Sequence, residues 1–498
     1  MQLADTYDIA IVGGGINGAG IARDAAGRGL KVLLCEKGDL AEGTSSRSGK
    51  LVHGGLRYLE YYEFRLVREA LIEREVLLAA APHIIWPMRF VLPHSPGQRP
   101  AWLVRLGLVL YDNLGGRKRL PGTRKLDLRT APEGAAIRPE FRTAFEYSDC
   151  WVDDARLVVL NVLDAKAKGA TILARTAVSG ARRDGEDWLL NLNGPDGGAA
   201  SARARVLVNA AGPWVEDVLA RVAGVNATRN VRLVKGSHLI VRKFWEGPQA
   251  YVLQHTDKRV IFVNPYEGDK CLIGTTDIPF TGRPEDVAAG DDEVGYLLKV
   301  VNRYMRRQLV RADVLATFSG IRPLLDDKAG NPSAVTRDYT FDVEDAAGKA
   351  PLLSIFGGKI TTYRKLAEHA MEKLAPYLGK RAGPWTAGAA LPGGDMEGGD
   401  FERFLAQFGS RHPWLPQPLA AHYARLYGTR AHSLMDGARK LADLGTPFGG
   451  LLFQREAEFL MAQEWAVTDQ DILMRRTKHG LHLTPQQTRD FQAWMATR

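Results

Sequence analysis

The sequence predicts an α/β fold: a nucleotide-type parallel sheet, an antiparallel substrate-facing sheet interleaved with it, and a C-terminal helical domain. Three observations carry this expectation. The chain opens with a strand, a glycine-rich turn, a helix and a second strand; a strand running into small residues recurs at Val206 to Trp214; and helical periodicity takes over after a Gly/Pro-rich stretch that begins at Gly383.

Tyr7 to Val12 is a short apolar run and Lys31 to Cys35 another, with helical apolar spacing from Ile16 to Arg28 between them. The intervening glycines read G-x-G-x-x-G as Gly13, Gly15 and Gly18, with Gly14 among them. The first glycine permits the tight turn, the second lets backbone approach a pyrophosphate, and the third lets helix pack on strand. The helix N-terminus then receives the phosphate charge. Glu36 closes the second strand 18 residues after Gly18, where a carboxylate accepts hydrogen bonds from a ribose diol and disfavours a 2′-phosphate. A Rossmann-type dinucleotide site is the expectation, with a ligand-free glycine turn as the plain alternative.

Leu157 to Lys168 has helical spacing, and short strands follow at Thr171 to Val178 and Trp188 to Leu192. The apolar strand Val206 to Asn209 enters Ala210-Ala211-Gly212-Pro213-Trp214, a small-residue turn of the kind that re-enters a nucleotide domain and brings Ala211 and Gly212 to the cofactor. Strand-like runs at Leu233 to Val241, Val260 to Val263 and Cys271 to Thr275, with turns at Glu267-Gly268-Asp269 and Gly282, predict the antiparallel sheet. Leu352 to Gly357 is a further strand that ends in Gly357-Gly358-Lys359 and runs into a helix over Thr361 to Tyr377. One interleaved unit is therefore expected over residues 1–382, with nucleotide-binding segments at about 5–80, 150–220 and 350–380 and the substrate sheet at about 80–150 and 225–350. Residues 383–400 read as a linker and 401–498 as the helical domain.

Composition narrows the partners. Hydrophobic residues make up 45% and charged residues 25%, an ordinary globular balance, and no stretch approaches the roughly 20 apolar residues that span a bilayer. The three cysteines, Cys35, Cys150 and Cys271, are scattered, which suggests neither a disulfide framework nor a metal cluster and fits a reducing, cytoplasmic compartment. A net charge of +9 favours anionic partners. Nucleic acid is not expected among them, because the basic residues are dispersed and no recognition motif occurs.

The chain resembles the FAD-dependent sn-glycerol-3-phosphate dehydrogenases of the aerobic bacterial type over nearly its whole length. Two signatures carry the resemblance: Val12-Gly13-Gly14-Gly15-Ile16-Asn17-Gly18-Ala19-Gly20-Ile21-Ala22-Arg23-Asp24, and Gly357-Gly358-Lys359-Ile360-Thr361-Thr362-Tyr363-Arg364-Lys365-Leu366-Ala367. Between them Thr44-Ser45-Ser46 and Lys50-Leu51-Val52-His53-Gly54-Gly55-Leu56-Arg57-Tyr58-Leu59 are similar to the family's flavin-and-substrate segment, and Asp471 to Thr477 to its helical tail. The resemblance implies FAD as cofactor, with Asn17, Thr44, Ser45, Ser46, Lys50, His53, Gly54, Gly358 and Thr361 beside the nucleotide-fold residues. It implies oxidation of sn-glycerol 3-phosphate to dihydroxyacetone phosphate by hydride transfer from C2. Electrons would pass to a membrane quinone, since the insertion of the oxygen-using glycerophosphate oxidases is not evident. Such an oxidase, or a flavin-dependent amine or amino-acid oxidase, is the alternative, and a homodimer is left open.

A phosphorylated substrate needs fixed cations and a group that takes the hydroxyl proton. Composition alone reads any one basic residue as a solvated or paired surface group, and the resemblance selects Arg57, Arg322 and Lys359, each in a short glycine-bearing segment. Tyr58 adds a phenol to the substrate side, and Arg337 is a weaker member that a salt-bridged turn would equally explain. His238, in Lys235-Gly236-Ser237-His238-Leu239, is the candidate proton acceptor because imidazole titrates near neutral pH. A hydrogen-bonded histidine at a strand end is the other reading, with Arg322 polarising the hydroxyl and water taking the proton. Lys359 completes the catalytic set.

Trp102 to Tyr111 is strongly apolar but about half the length that spans a bilayer, and Arg99, Arg105, Arg117, Lys118, Arg119, Arg124 and Lys125 accompany it. Apolar surface with a tryptophan and flanking cations suits the plane of an anionic lipid surface, so peripheral association with the inner face of the cell membrane is expected. A buried core helix followed by a solvated basic loop is the competing reading.

Overall fold

In the computed structural model, which describes residues 3–95, 97–225, 231–257, 259–325, 338–379 and 381–498, two large sheets share one interleaved unit and a helical domain packs against it. Strands run in chain order as β1 (Tyr7–Val12), β2 (Val32–Cys35), β3 (Leu51–Val52), β4 (Ile85–His94), β5 (Arg124–Asp127), β6 (Thr143–Val152), β7 (Thr171–Leu173), β8 (Ala177–Asp184) and β9 (Asp187–Asn193). They continue as β10 (Ala199–Asn209), β11 (Val231–Arg242), β12 (Ala250–Gln254), β13 (Val260–Tyr266), β14 (Lys270–Gly274), β15 (Ile278–Pro279), β16 (Val314–Leu325), β17 (Thr340–Ala346) and β18 (Lys349–Phe356). Four helices matter to the site: α1 (Ile16–Gly27), α2 (Phe64–Ala80), α3 (Ala101–Leu114) and α4 (Asp154–Ala167).

The first sheet has the order β17-β18-β10-β1-β2-β7, parallel from β18 to β7, with β17 antiparallel at the edge. Parallel strands need both faces covered, and the sequence supplies apolar side chains on both. Ile9, Ile11, Val206, Val208, Leu353 and Ile355 face α1, α4 and the helix Tyr363–Leu378, while Tyr7, Ala10, Leu33, Leu207 and Leu352 face the β8–β9 hairpin, where Trp188 is buried. Truncating one of these, as in Leu353→Ala, costs about 2–5 kcal/mol because the surrounding layers cannot close the cavity.

The second sheet has the order β15-β11-β14-β13-β12-β4-β6-β3, with β16 on β11 and β5 on β6. Its core lies against the helix Asp291–Tyr304. The chain crosses into it earlier than the sequence suggests, because β3 pairs with β6 through Leu51 and Val52 alone. Two residues are too short to show a period. In the other direction β17 belongs to the nucleotide sheet; its half-buried residues show no alternation that would have signalled it.

Residues 383–400 form a packed strap rather than a loose linker: Arg23 donates to the carbonyls of Ala389 and Ala390 at 3.2 Å each, Trp385 Nε1 donates to the Asp24 carbonyl at 3.1 Å, and Leu391 is buried. Beyond it Phe404, Phe408, Tyr423 and Phe491 centre a separate helical core. Buried ion pairs fix this domain to the first: Arg156 with Glu464, Lys478 with Asp153 at 2.6 Å, and Arg475 and Arg476 with Asp39 at 2.5 and 2.7 Å.

The α3 helix lies on the surface. Leu108 and Tyr111 face inward, whereas Trp102 and Leu106 are 68% and 58% exposed and Val109 and Leu110 accompany them. The buried-core reading of this helix is therefore set aside. No helix among the described residues is long and apolar enough to cross a membrane.

Candidate active site

The nucleotide cradle forms where β1, β10 and β18 end together. Gly13 has φ +113°, and a Cβ there would lie 2.6 Å from the Ala210 carbonyl oxygen; a Cβ on Gly18 would lie 2.0 Å from that of Gly13. These two glycines let the turn, the helix and the next strand touch. Gly15 differs: a Cβ there would meet only Ser45 Oγ, at 3.2 Å. Gly15 is also the N-cap of α1, where it supplies no side-chain cap, and no acid in the first turn offsets the positive end of the helix. Glu36, at the end of β2, accepts from the Gly14 and Gly38 amides at 2.6 and 2.8 Å. Burial raises its pKa and those two amides work against the rise.

Asn17 joins the two signatures, donating from Nδ2 to the Gly357 carbonyl at 3.3 Å while its buried Oδ1 accepts no hydrogen bond from the described residues. Gly358 sits against it, where a Cβ would be 3.1 Å from Asn17 Nδ2. Ala211 and Gly212 follow β10 directly, and the Ala211 amide donates to Asn209 Oδ1 at 3.3 Å. Thr44 Oγ1 donates to the Ile321 carbonyl at 2.6 Å and Ser45 Oγ accepts the Ile16 amide at 3.0 Å, so these hydroxyls stitch the cradle to β16 and to the start of α1. They do not cap their own helix. The Ser46 carbonyl accepts from Lys50, whose ammonium is bound mainly to buried Asp154 at 2.7 Å. The open Gly15 position and the orphaned Asn17 oxygen fit a dinucleotide cofactor, as the sequence leads one to expect.

The substrate side gathers in two clusters. In one, the Lys359 ammonium lies 3.8 Å from the centre of the Tyr58 ring, and Arg57 beside it reaches the Tyr61 hydroxyl at 3.5 Å. The His53 amide donates to Thr361 Oγ1 at 3.2 Å, which ties this loop to the second signature. Gly54 sits above a buried network in which Asp149 accepts from Arg74 at 2.7 Å and from the Tyr111 hydroxyl at 2.8 Å.

In the other, Arg322 is gripped by Asp277 at 2.5 Å and Thr275 at 3.1 Å, on β16 opposite Val234. His238 lies four residues further along β11 and stacks on Phe318 at 4.7 Å between ring centres. Phe262 connects the clusters: its ring meets His53 edge-on at 6.2 Å, and its strand pairs through Gly274 with His238. Arg337 lies outside the described residues. Sequence reading missed Asp277, Thr275 and Phe318, and only the small-residue run after β14 hinted at the first two.

His238 is buried, and neither ring nitrogen has a hydrogen-bond partner among the described residues. The strand-end histidine with a satisfied ring is therefore not what forms. Burial lowers its pKa from 6.5 to about 3, helped by the positive charges of Arg322 and Lys50. The free protein thus holds a neutral imidazole throughout the neutral range, which corrects the expectation of titration near pH 7. The sign for stability follows. The unfolded imidazole takes a proton below pH 6.5 and the folded one only below about 3, so stability is lost as the pH drops through that window. His238→Gln should remove about 1.4 kcal/mol per pH unit of this slope, read from denaturation at pH 4, 5 and 6. An unchanged slope would mean that the ring is solvated.

Cys35 is buried on β2, and burial pushes its thiol up to about 12. It packs, and carries no thiolate chemistry near neutral pH.

Comparison with known proteins identifies the fold and the cofactor. Residues 8–364 match the family described as FAD dependent oxidoreductase, and residues 385–493 match the C-terminal domain of alpha-glycerophosphate oxidase. The chain is 62% identical over 495 residues to the D-erythritol 1-phosphate dehydrogenase of Brucella abortus, covering 99% of this chain and 98% of that one. It is 49% identical over 492 residues to the aerobic glycerol-3-phosphate dehydrogenase of Escherichia coli, covering 99% and 97%. Among solved structures, the glycerol-3-phosphate dehydrogenase of Bacillus halodurans complexed with FAD superposes with a TM-score of 0.74 at 26% identity, covering 99% and 94%.

Proposed function

We propose, from the premise that the chain belongs to the FAD-dependent oxidoreductases of the glycerol-3-phosphate dehydrogenase family, that it oxidises the C2 alcohol of sn-glycerol 3-phosphate to the ketone of dihydroxyacetone phosphate. FAD is the cofactor and, when bound, supplies the two-electron acceptor for the C2 hydride. The observation that carries the reading is a buried imidazole, His238, whose ring nitrogens have no hydrogen-bond partner among the described residues and which lies in the field of Arg322 and Lys50. Arg57, Arg322 and Lys359 meet the phosphate and the developing charge, Tyr58 flanks Lys359, and His238 takes the hydroxyl proton. A dianionic substrate beside His238 offsets the repulsion from Arg322 and Lys50 and raises the basicity of the ring when it is needed.

A second reading shares the chemistry and changes the substrate. The 62% identity to the erythritol 1-phosphate enzyme, against 49% to the Escherichia coli glycerol-3-phosphate enzyme, favours a four-carbon phosphorylated polyol. Anaerobic flavin bleaching separates the two: sn-glycerol 3-phosphate and D-erythritol 1-phosphate are added to separate samples, and the larger bimolecular rate names the substrate. Bleaching by neither overturns both. Adding a quinone or oxygen to the bleached protein then reads the electron acceptor, which we propose to be a membrane quinone.

Such an acceptor requires docking at a lipid surface, and α3 supports it. Trp102, Leu106, Val109 and Leu110 face outward on a helix whose inner side is fixed by Tyr111 to Asp149. The fold also spends part of the local charge: Arg99 pairs with Glu60, Arg117 with Asp112, and Arg124 with Glu133 and Glu146. Arg105, Lys118, Arg119 and Lys125 make no salt bridge among the described residues. Replacing Arg117, Lys118 and Arg119 by Ser should release the protein from anionic vesicles at moderate salt, with dye-linked activity retained. Unchanged co-sedimentation would move the contact elsewhere.

A further inference from the structure

Away from the flavin site, three segments of the helical domain bring two imidazoles and one carboxylate together. His422 belongs to the helix Gln417–Tyr427, Glu456 to the helix Gln454–Gln463, and His479 follows the tail segment Asp471–Arg476. Their ligand atoms lie within 4.8 Å of one another, the one such group among the described residues. His422 Nε2 is 2.8 Å from one Glu456 oxygen and His479 Nε2 is 3.3 Å from the other. Donors bound at about 2.0–2.1 Å to a tetrahedral ion stand roughly 3.3–3.4 Å apart, so the trio needs only small adjustments to close on one.

The surroundings suit ligation. Glu456 is fully buried, so its carboxylate is set apart from bulk water between the two imidazoles. Carboxylate and neutral imidazole are the protonation states that bind metal. The Tyr427 hydroxyl donates to Glu456 Oε1 at 2.7 Å, an outer-shell bond of the kind that orients a ligating carboxylate. Of the three, His422 also lines a cavity of about 400 Å³, shared with Trp86, Trp151, Arg425 and Lys478, which gives the trio a side open to an ion.

We propose that His422, Glu456 and His479 form a zinc(II) site that staples the helical domain. The donor set of two imidazoles and one carboxylate, with no thiolate, suits zinc among the common divalent ions. Its function is structural. The ion joins two helices to the tail segment whose Lys478 is bound to Asp153 at the start of α4, so it stiffens the docking of the domain on the flavin unit.

The test uses the FAD-loaded full chain, freed of metal by a chelator and titrated with zinc chloride by calorimetry, with elemental analysis of the product. One zinc per chain is expected, with a melting temperature raised by a few degrees at saturating zinc. His422→Gln and His479→Gln should each weaken zinc binding by about 100-fold or more, and Tyr427→Phe by roughly 10- to 100-fold. Should the histidine variants fail to fold, the Tyr427→Phe titration and the cobalt(II) form of the wild type carry the test, the latter expected to show ligand-field bands to the red of the flavin. Absence of saturable zinc uptake by the wild type would mean a hydrogen-bonded trio only. Equal uptake by wild type and Tyr427→Phe would place the zinc elsewhere; either result overturns the proposal.

Discussion

Gly15→Val is expected to give a folded protein that has lost its FAD. Within the chain, the first side-chain atom at this position meets Ser45 Oγ alone, at 3.2 Å, a contact a hydroxyl can relieve by turning. We place the cofactor's pyrophosphate in the space beyond the N-terminus of α1, so the added isopropyl group should exclude the ligand and spare the fold. Gly18→Ala should behave differently, because its methyl would sit 2.0 Å from the Gly13 carbonyl oxygen and separate α1 from β1. Flavin absorbance per chain, measured alongside far-ultraviolet circular dichroism, distinguishes the two. Full flavin content in Gly15→Val would remove the cradle from the glycine turn.

The second large effect is expected on the substrate side. Arg322→Gln and Lys359→Gln should each lower kcat/KM for glycerol 3-phosphate by roughly 30- to 1000-fold, about 2–4 kcal/mol of transition-state binding, and affect the slow use of glycerol far less. Arg322 should show the larger change, because Asp277 and Thr275 hold its guanidinium in one orientation, so little rotamer freedom is lost on meeting an anion. Equal losses on both substrates would assign these residues to the fold. Arg57→Gln is the companion variant, and a smaller loss there fits its half-exposed position.

The nucleotide half was legible because its physics is local. A turn that must bring strand, helix and phosphate together can be written only with glycines at fixed spacing, and Glu36 lies a fixed distance along the next strand. The second sheet was legible as strands but not as pairings. Nothing in Leu51-Val52 announces that it joins Thr143–Val152, because that choice is made by long-range packing. The protonation state of His238 was misjudged for a related reason: desolvation and the Arg322 charge come from strands far along the chain. Lys50 reads in sequence as a cofactor contact, yet Asp154, 104 residues later, takes its ammonium. The strap at 383–400 reads as a linker because its glycines and prolines are the same residues that tight packing of backbone on backbone requires.

Asp39 carries a consequence for how the molecule is made. It lies three residues beyond Glu36, is fully buried, and is neutralised by Arg475 and Arg476 near the other end of the chain. A carboxylate buried without its partners costs about 3–5 kcal/mol, so the loop after β2 cannot settle while those arginines are missing. During synthesis on the ribosome Asp39 emerges 436 residues ahead of Arg475, so the glycine turn beside it waits for its closing charges. A chain truncated before residue 471 should therefore be made with the loop after β2 unsettled, and a lower flavin content per chain than in the full-length protein would report it.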